Sequence, residues 1–281
     1  MKTGLIMEGG AMRGLFTAGV IDVMMEHEFT FDGAIGVSAG AVFGCNYKSH
    51  QIGRVLRYNT RFCKDPRYAS FRSLMKTGDL YGADFCYSEL PNKLDVFDTD
   101  TYQNSNMDFY VVCTDVQTGR PVYKNCKTGD ENDIKWMRAS ASMPMVSRIV
   151  EVDGYQLLDG GISDSIPIRK FQQLGYEKNI IILTQPLDYV KKKNKMLPLM
   201  RVTMRKYPKV IDAVKRRHDI YNETTAYIRA LEKQGKVLVI RPNQPLNIAQ
   251  VVHDPKELHR VYEIGRAEAL HRLDDIQQFL A

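Results

Sequence analysis

A chain of 281 residues, 44% hydrophobic and 26% charged, has the composition of a globular protein of one large or two small domains and excludes a disordered or fibrous one. No apolar run approaches the roughly 20 residues of a membrane span, the N-terminal MKTGLIMEGG lacks the apolar core of a secretory signal, and five cysteines without a CxxC pair favour neither a disulfide framework nor a zinc site, so a cytoplasmic protein without metal or other cofactor is expected. The net charge of +6 is local: eleven Lys or Arg lie between Lys191 and Arg217 against one acid, Asp212, so a general nucleic-acid charge pattern is absent.

In chain order, residues 2–7 end in Leu5, Ile6 and Met7 and read as a short buried strand. A glycine-rich turn, GGAMRG, follows, and then apolar residues at helical spacing from about Gly14 to His27. A second strand over 31–37 stops at Ser38, and small and apolar residues from Ala39 to Tyr47 predict a helix. This alternation indicates an α/β fold with parallel strands. Residues 50–107 carry turn signals and short helices. FYVVCT (109–114) predicts a strand, with a turn over 117–121 leading to Val122 and Tyr123. A helix is expected over 131–140, a hairpin over 150–158 around Asp153-Gly154, and a helix over 166–174 with Pro167 in its first turn. Strands follow at 180–183 and 237–240, and helical spacing runs from Pro255 to Leu280. Without repeats, low-complexity stretches or a linker, one domain over 1–281 is the economical expectation.

Three glycine-flanked turns close apolar strands. GVSAG (36–40) matches G-x-S-x-G, in which a sharp strand-to-helix turn projects a serine hydroxyl while Gly36 and Gly40 leave room. The helix behind Ser38 adds positive dipole where an oxyanion would form. The pentapeptide alone is weak evidence; its place between the strand AIGV and the segment AVFG strengthens it. A nucleophilic serine needs a base, yet none of the six histidines lies in a glycine-rich turn or at a strand end, and only His253, in a loop before Asp254-Pro255, stays in reserve. LLDGG (157–161) offers Asp159 at a strand end, followed by Gly160 and Gly161. In an open parallel sheet carboxyl ends converge on one edge, which would bring Asp159 to Ser38. The first turn fails as a dinucleotide fingerprint because Ala11 stands at the second glycine position, and it lacks a Walker lysine.

GGAMRG, GVSAG and DGG, in this order, together with ASASMPMVS (139–147), resemble the patatin-like phospholipase family of lipid acyl hydrolases over most of the first 185 residues. The resemblance implies a three-layer α/β/α fold around a mainly parallel sheet, with Ser38 as nucleophile and Asp159 as its base in a dyad without histidine. It implies an acyl-enzyme intermediate, an oxyanion hole of Gly9, Gly10 and Ala11 amides with Arg13 orienting that loop, and Gly14 closing the motif. Ala11 replaces a glycine usual in the family, so its methyl group is expected to narrow the approach or impose a negative φ. A Ser-His-Asp esterase using His253, or a lipid-binding homologue without catalysis, are the alternatives. Beyond residue 185 the resemblance fades into a basic helical segment (about 188–235) and a C-terminal strand and helix expected to pack on the core. Met196, Leu197, Leu199, Met200, Val202 and Met204 are interleaved with the cations, so 191–217 is expected to be solvated surface, a peripheral contact with an anionic inner membrane face, or a lid.

Overall fold

A computed structural model describes residues 1–281. Eight strands form one sheet: β1 (Lys2–Met7), β2 (Gly33–Val37), β3 (Asp108–Asp115), β4 (Pro121–Asn125), β5 (Val150–Val152), β6 (Tyr155–Asp159), β7 (Tyr176–Ile182) and β8 (Val237–Ile240). The α-helices are α1 (Gly14–Glu26), α2 (Ala39–Lys48), α3 (Arg54–Phe62), α4 (Phe71–Thr77), α5 (Thr99–Asn104), α6 (Glu131–Ser140), α7 (Ile168–Gln173), α8 (Leu197–Thr203), α9 (Pro208–Lys233), α10 (Pro255–His271) and α11 (Leu273–Leu280), and a π-helical stretch covers Phe85–Leu94. The expected order of strands and helices through residue 183 is reproduced with small shifts at the ends. The long C-terminal helix breaks in two at Arg272, and 188–196 forms no helix ahead of α8.

The strand order is β5-β6-β3-β2-β1-β7-β8, with β4 pairing β3 as well. The five strands from β3 to β8 are mutually parallel, whereas β4, β5 and β6 join antiparallel. Both faces are covered, as the alternation of side chains shows. Leu5, Met7, Ala34, Phe109, Val111, Ile180 and Ile182 point into one cluster with α1, α2, α6 and α10. Ile6, Ile35, Val37, Val112, Ile181, Val237 and Val239 point into another with α7 and α9. The architecture is therefore the three-layer α/β/α sandwich expected from the sequence.

One detail of the sheet positions the site. On β3, Val112 pairs with Val37 of β2, and the next residue, Cys113, pairs with Asp159 of β6. Asp115 donates its N–H towards β4, to Arg120 O, whereas Val116 donates its N–H the other way, to Gln156 O. Strand β6 thus occupies the same edge of β3 as β2 and takes over where β2 stops, running in the opposite direction. The sequence reading places Asp159 beside Ser38 through parallel strands ending together. Instead two antiparallel strand ends meet head to head, and β6 reaches that place through the hairpin with Asp153 and Gly154 both at positive φ (49° and 79°).

Candidate active site

Ser38 stands between the last residue of β2 and the first of α2, with φ 55° and ψ −122°. Such a backbone is costly for a residue with a Cβ, of order 1–3 kcal/mol, and persists only where the surroundings over-determine it. Here they do. A Cβ on Gly40 would lie 2.3 Å from Met7 O, so α2 starts hard against the end of β1. The Ser38 N–H donates to Ser140 Oγ (2.8 Å), whose hydroxyl donates in turn to Val112 O (2.6 Å). Ser140 therefore ties the elbow to β3, a role that no sequence signal announces.

The Ser38 hydroxyl donates to Asp159 Oδ2 at 2.7 Å, and Gly161 N–H donates to Asp159 Oδ1 at 2.7 Å. Asp159 is 6% exposed. Burial pushes its carboxyl above the ordinary carboxylate value, opposed first by the Ser38 hydroxyl, then by the Arg217 charge and the Gly161 amide. A buried carboxylate of raised proton affinity, hydrogen-bonded to a strained serine, is an arrangement that can take the hydroxyl proton. No histidine is hydrogen-bonded to either residue: His253 is exposed, with its Nδ1 2.5 Å from Cys63 O.

The glycine turn packs directly on the serine. A Cβ on Gly9 would lie 2.8 Å from Ser38 Cβ and 2.7 Å from Val37 O, so only glycine permits this approach. The N–H groups of Gly9 and Gly10 have no backbone acceptor. Ala11 adopts φ 48° rather than the negative φ expected of it, so its methyl group is accommodated in the left-handed region that a glycine would favour. The turn is fixed from behind by Glu8, which is 3% exposed. Glu8 Oε2 accepts from Thr184 N–H (2.7 Å) and Oε1 from Tyr221 OH (2.7 Å), while Thr184 Oγ1 donates to Gly9 O (3.1 Å). Arg13 lies against Gly10, its Nε buried without a partner. Gly14 sits where α1 crosses α2: a Cβ there would lie 2.7 Å from Ala39 Cβ. A Cβ on Gly160 would meet Val112 O at 2.1 Å.

Two cavities open on Ser38. One is apolar, with 17 hydrophobic residues among its 24 lining residues, including Met12, Val42, Phe43, Tyr58, Leu90 and Met137. The other is polar and is lined by Glu8, Arg13, Asp159, Lys191, Arg217 and Tyr221 among others. No group of side chains is arranged to hold a metal ion, and no helix is long and apolar enough to cross a membrane.

Comparison with known proteins assigns the chain to a family. The model of the patatin-like phospholipase family matches residues 5–171, more than half of the chain and the part that carries both strand ends. The chain belongs to this family. As a patatin-like phospholipase it is a carboxylic ester hydrolase. A domain of unknown function (DUF6363) matches residues 207–281. An uncharacterized Escherichia coli protein, YjjU, is 28% identical over 279 residues, covering 94% of this patatin-like chain and 75% of its own. Lysophospholipases NTE1 of Chaetomium globosum and Aspergillus terreus are 23% and 25% identical, over 66% and 62% of this chain but only 12% and 11% of theirs. VipD from Legionella pneumophila superposes with a TM-score of 0.48 at 11% identity, covering 98% of this chain and 67% of that one.

Of the eleven cations between Lys191 and Arg217, nine are exposed, and only Lys191 and Arg217 are half-buried, both at the polar cavity. Their surroundings set them apart, and the sequence presents them only as members of a charge run. The apolar residues of the same stretch also divide. Leu197, Met200 and Met204 pack against Val210, Ala213 and Val214, whereas Met196, Leu199 and Val202 are 47%, 46% and 71% exposed.

Proposed function

We propose that this patatin-like phospholipase cleaves lipid carboxylic esters through a Ser38–Asp159 dyad and an acyl-enzyme intermediate, in one domain spanning 1–281. The single observation that carries the reading is the 2.7 Å hydrogen bond from Ser38 Oγ to the buried Asp159 carboxylate, at the mouth of an apolar cavity. As Oγ adds to the ester carbonyl, its proton passes to Asp159 Oδ2 and the carbonyl π electrons move to the oxygen. Backbone N–H groups of Gly9, Gly10 and Ala11 receive that oxyanion, and each such donor typically contributes about 3–4 kcal/mol to lowering the barrier. Arg13 orients this turn. Collapse breaks the ester C–O bond, and the leaving alcohol takes the proton from Asp159. Water then attacks the acyl-serine, giving its proton to Asp159, and a second collapse returns the proton to Oγ and frees the fatty acid. No cofactor enters this scheme.

The apolar cavity suits the acyl chain. Exposed Met196, Leu199 and Val202 among Lys192, Lys193, Lys195 and Arg201 suit adsorption to an anionic lipid surface, where the substrate resides. A fluorophosphonate probe should label the wild type on Ser38 and leave Ser38→Ala unlabelled, with hydrolysis of p-nitrophenyl esters lost in parallel. His253→Ala should retain activity. Activity that survives Ser38→Ala would refute the nucleophile, and activity lost in His253→Ala as well as in Ser38→Ala would replace the dyad by a triad.

A further inference from the structure

The polar cavity beside Ser38, of about 260 Å³, is lined by three cations, Arg13, Lys191 and Arg217. None of the three forms an ion pair within 4.0 Å: they are absent from all twelve of the salt bridges of the chain. The two carboxylates at the same cavity are otherwise engaged, Glu8 with Tyr221 and Thr184, Asp159 with Ser38 and Gly161. The Nε atoms of Arg13 and Arg217 are both buried without a hydrogen-bond partner. The three cations are half-buried and feel Glu8 and Asp159 only beyond ion-pair distance, so their donors stay free beside the serine, where an anion could engage them.

The cluster is also held in place. Three residues of one helix, α9, build its wall. Arg217 approaches Gly161 so closely that a Cβ there would meet its guanidinium at 3.1 Å. Tyr221 bonds Glu8, and its ring carries the Lys191 ammonium 4.3 Å from the centroid. Asn222 clamps the Lys191 backbone from both sides, accepting its N–H (2.8 Å) and donating to its O (3.0 Å). Fixed cations with free donors are what a phosphate needs, and guanidinium groups match its oxygens.

Ser38, Ala11 and Met143 line both cavities, so the serine stands at their junction. With the acyl chain in the apolar cavity, the alcohol side of the ester points into the cationic one. We propose that Lys191 and Arg217, with Arg13, are the specificity-determining residues for the leaving alcohol, forming a subsite that binds its phosphate and favours it over an uncharged alcohol. The inference rests on the hydrolase reading for its direction but not for the binding itself.

Two arms test it on the full-length protein. In the first, inorganic phosphate and glycerol phosphate are titrated calorimetrically into Ser38→Ala and into that variant carrying Lys191→Gln, Arg217→Gln or both. Saturable binding is expected, weakened about tenfold or more by each substitution, since each removes a charge-assisted bond. Asn222→Ala, which frees the Lys191 backbone but keeps every charge, should weaken it less. In the second arm, kcat/KM is compared between a monoacylglycerol phosphate and the monoacylglycerol of the same chain. Wild type should favour the phosphate, and Lys191→Gln/Arg217→Gln should lower that ratio by about a hundredfold, as two lost bonds of about tenfold each imply. A ratio near one in wild type, or one unmoved by the double substitution, overturns the subsite as a head-group site even if free phosphate binds. Binding of neither anion overturns it outright. Hydrolysis of neither substrate would instead count against the hydrolase reading, leaving the titration to judge the subsite.

Discussion

Asp159→Asn separates catalysis from stability at a single site. The Asp159 carboxylate makes two bonds, one from the Gly161 amide to Oδ1 and one from the Ser38 hydroxyl to Oδ2. In the variant, the side-chain amide oxygen keeps the Gly161 bond and the NH2 turns towards Ser38, which then faces a donor and no base. General-base assistance is worth about 10²–10⁴ in rate, and no histidine is placed to substitute, so kcat on p-nitrophenyl esters should fall by about 10⁴, towards the upper limit of that range. Stability should move the other way. The folded pKa of Asp159 is raised above its ordinary 3.8, mainly by burial. Between the two values the folded state holds a proton that the unfolded state has released, so stability falls as pH rises through that window and the cost persists at neutral pH. Asn removes that cost, so thermal unfolding at pH 7 should occur at the wild-type temperature or above, while the wild type should gain stability on acidification through the window. In the wild type the acid limb of kcat/KM should be displaced upward from the ordinary carboxyl value of 3.8. A kcat within tenfold of wild type would refute the assignment of the base. A lower unfolding temperature would refute the account of the buried charge.

Two further outcomes are open to measurement. Asp22, 1% exposed, accepts from Tyr262 OH (2.7 Å) and Gly53 N–H (2.9 Å) on the same oxygen, and burial raises its pKa to about 6. A shift from 3.8 to about 6 corresponds to about 3 kcal/mol lost as pH rises from about 4 to about 6. Asp22→Asn keeps an oxygen for both bonds and should flatten that dependence in pH-scanned thermal denaturation; an unchanged slope would refute the assignment. In the basic segment, Lys192, Lys193 and Lys195 replaced by Gln, together with Leu199→Ser and Val202→Ser, should reduce co-sedimentation with anionic vesicles. Each cation near such a surface contributes about 1 kcal/mol, screened by salt. Unchanged partitioning at low salt would remove the membrane contact.

What is legible in the sequence is what rests on local chemistry. The strand-turn-helix around Ser38, the Asp153-Gly154 hairpin and helix 131–140 follow from apolar period and turn residues, and all three fall where the sequence places them. The encounter of Ser38 with Asp159 has a different geometry from the expected one, since hydrophobic pattern does not distinguish a parallel strand from an antiparallel one of five residues. Ala11 at φ 48° departs from expectation because a side chain predicts conformation only on average, and the Glu8–Thr184–Gly9 ties hold this turn. Lys191 and Arg217 are invisible as individuals in the sequence because burial, which sets them apart from nine exposed neighbours, is a property of the fold. Ser140 and Tyr221 lie 102 and 213 positions from the residues they hold, and no local signal spans such distances.

Those long-range ties bear on how the carboxyl-terminal segment relates to the rest. The patatin-like match ends at residue 171 and the second match starts at 207, which suggests two units joined at a seam. The contacts contradict a loose seam. Strand β8 extends the central sheet by pairing with β7, and Tyr262 of α10 bonds Asp22 inside the first cluster. Helix α9 then brings Tyr221 to Glu8, the residue before the glycine turn, and Arg217 to the Asp159 side of the cavity. Glu8 has one carboxylate oxygen for the strand-end Thr184 and one for α9, so the turn that would receive an oxyanion is fixed from both halves of the chain at once. Were the segment 207–281 removed, Glu8 would keep Thr184 but face an empty wall, and the cavity would lose Arg217, Tyr221 and the clamp on Lys191. On the proposed reading the family core would supply Ser38, Asp159 and Arg13, and the carboxyl-terminal segment Arg217 together with the Tyr221 and Asn222 contacts that hold Lys191.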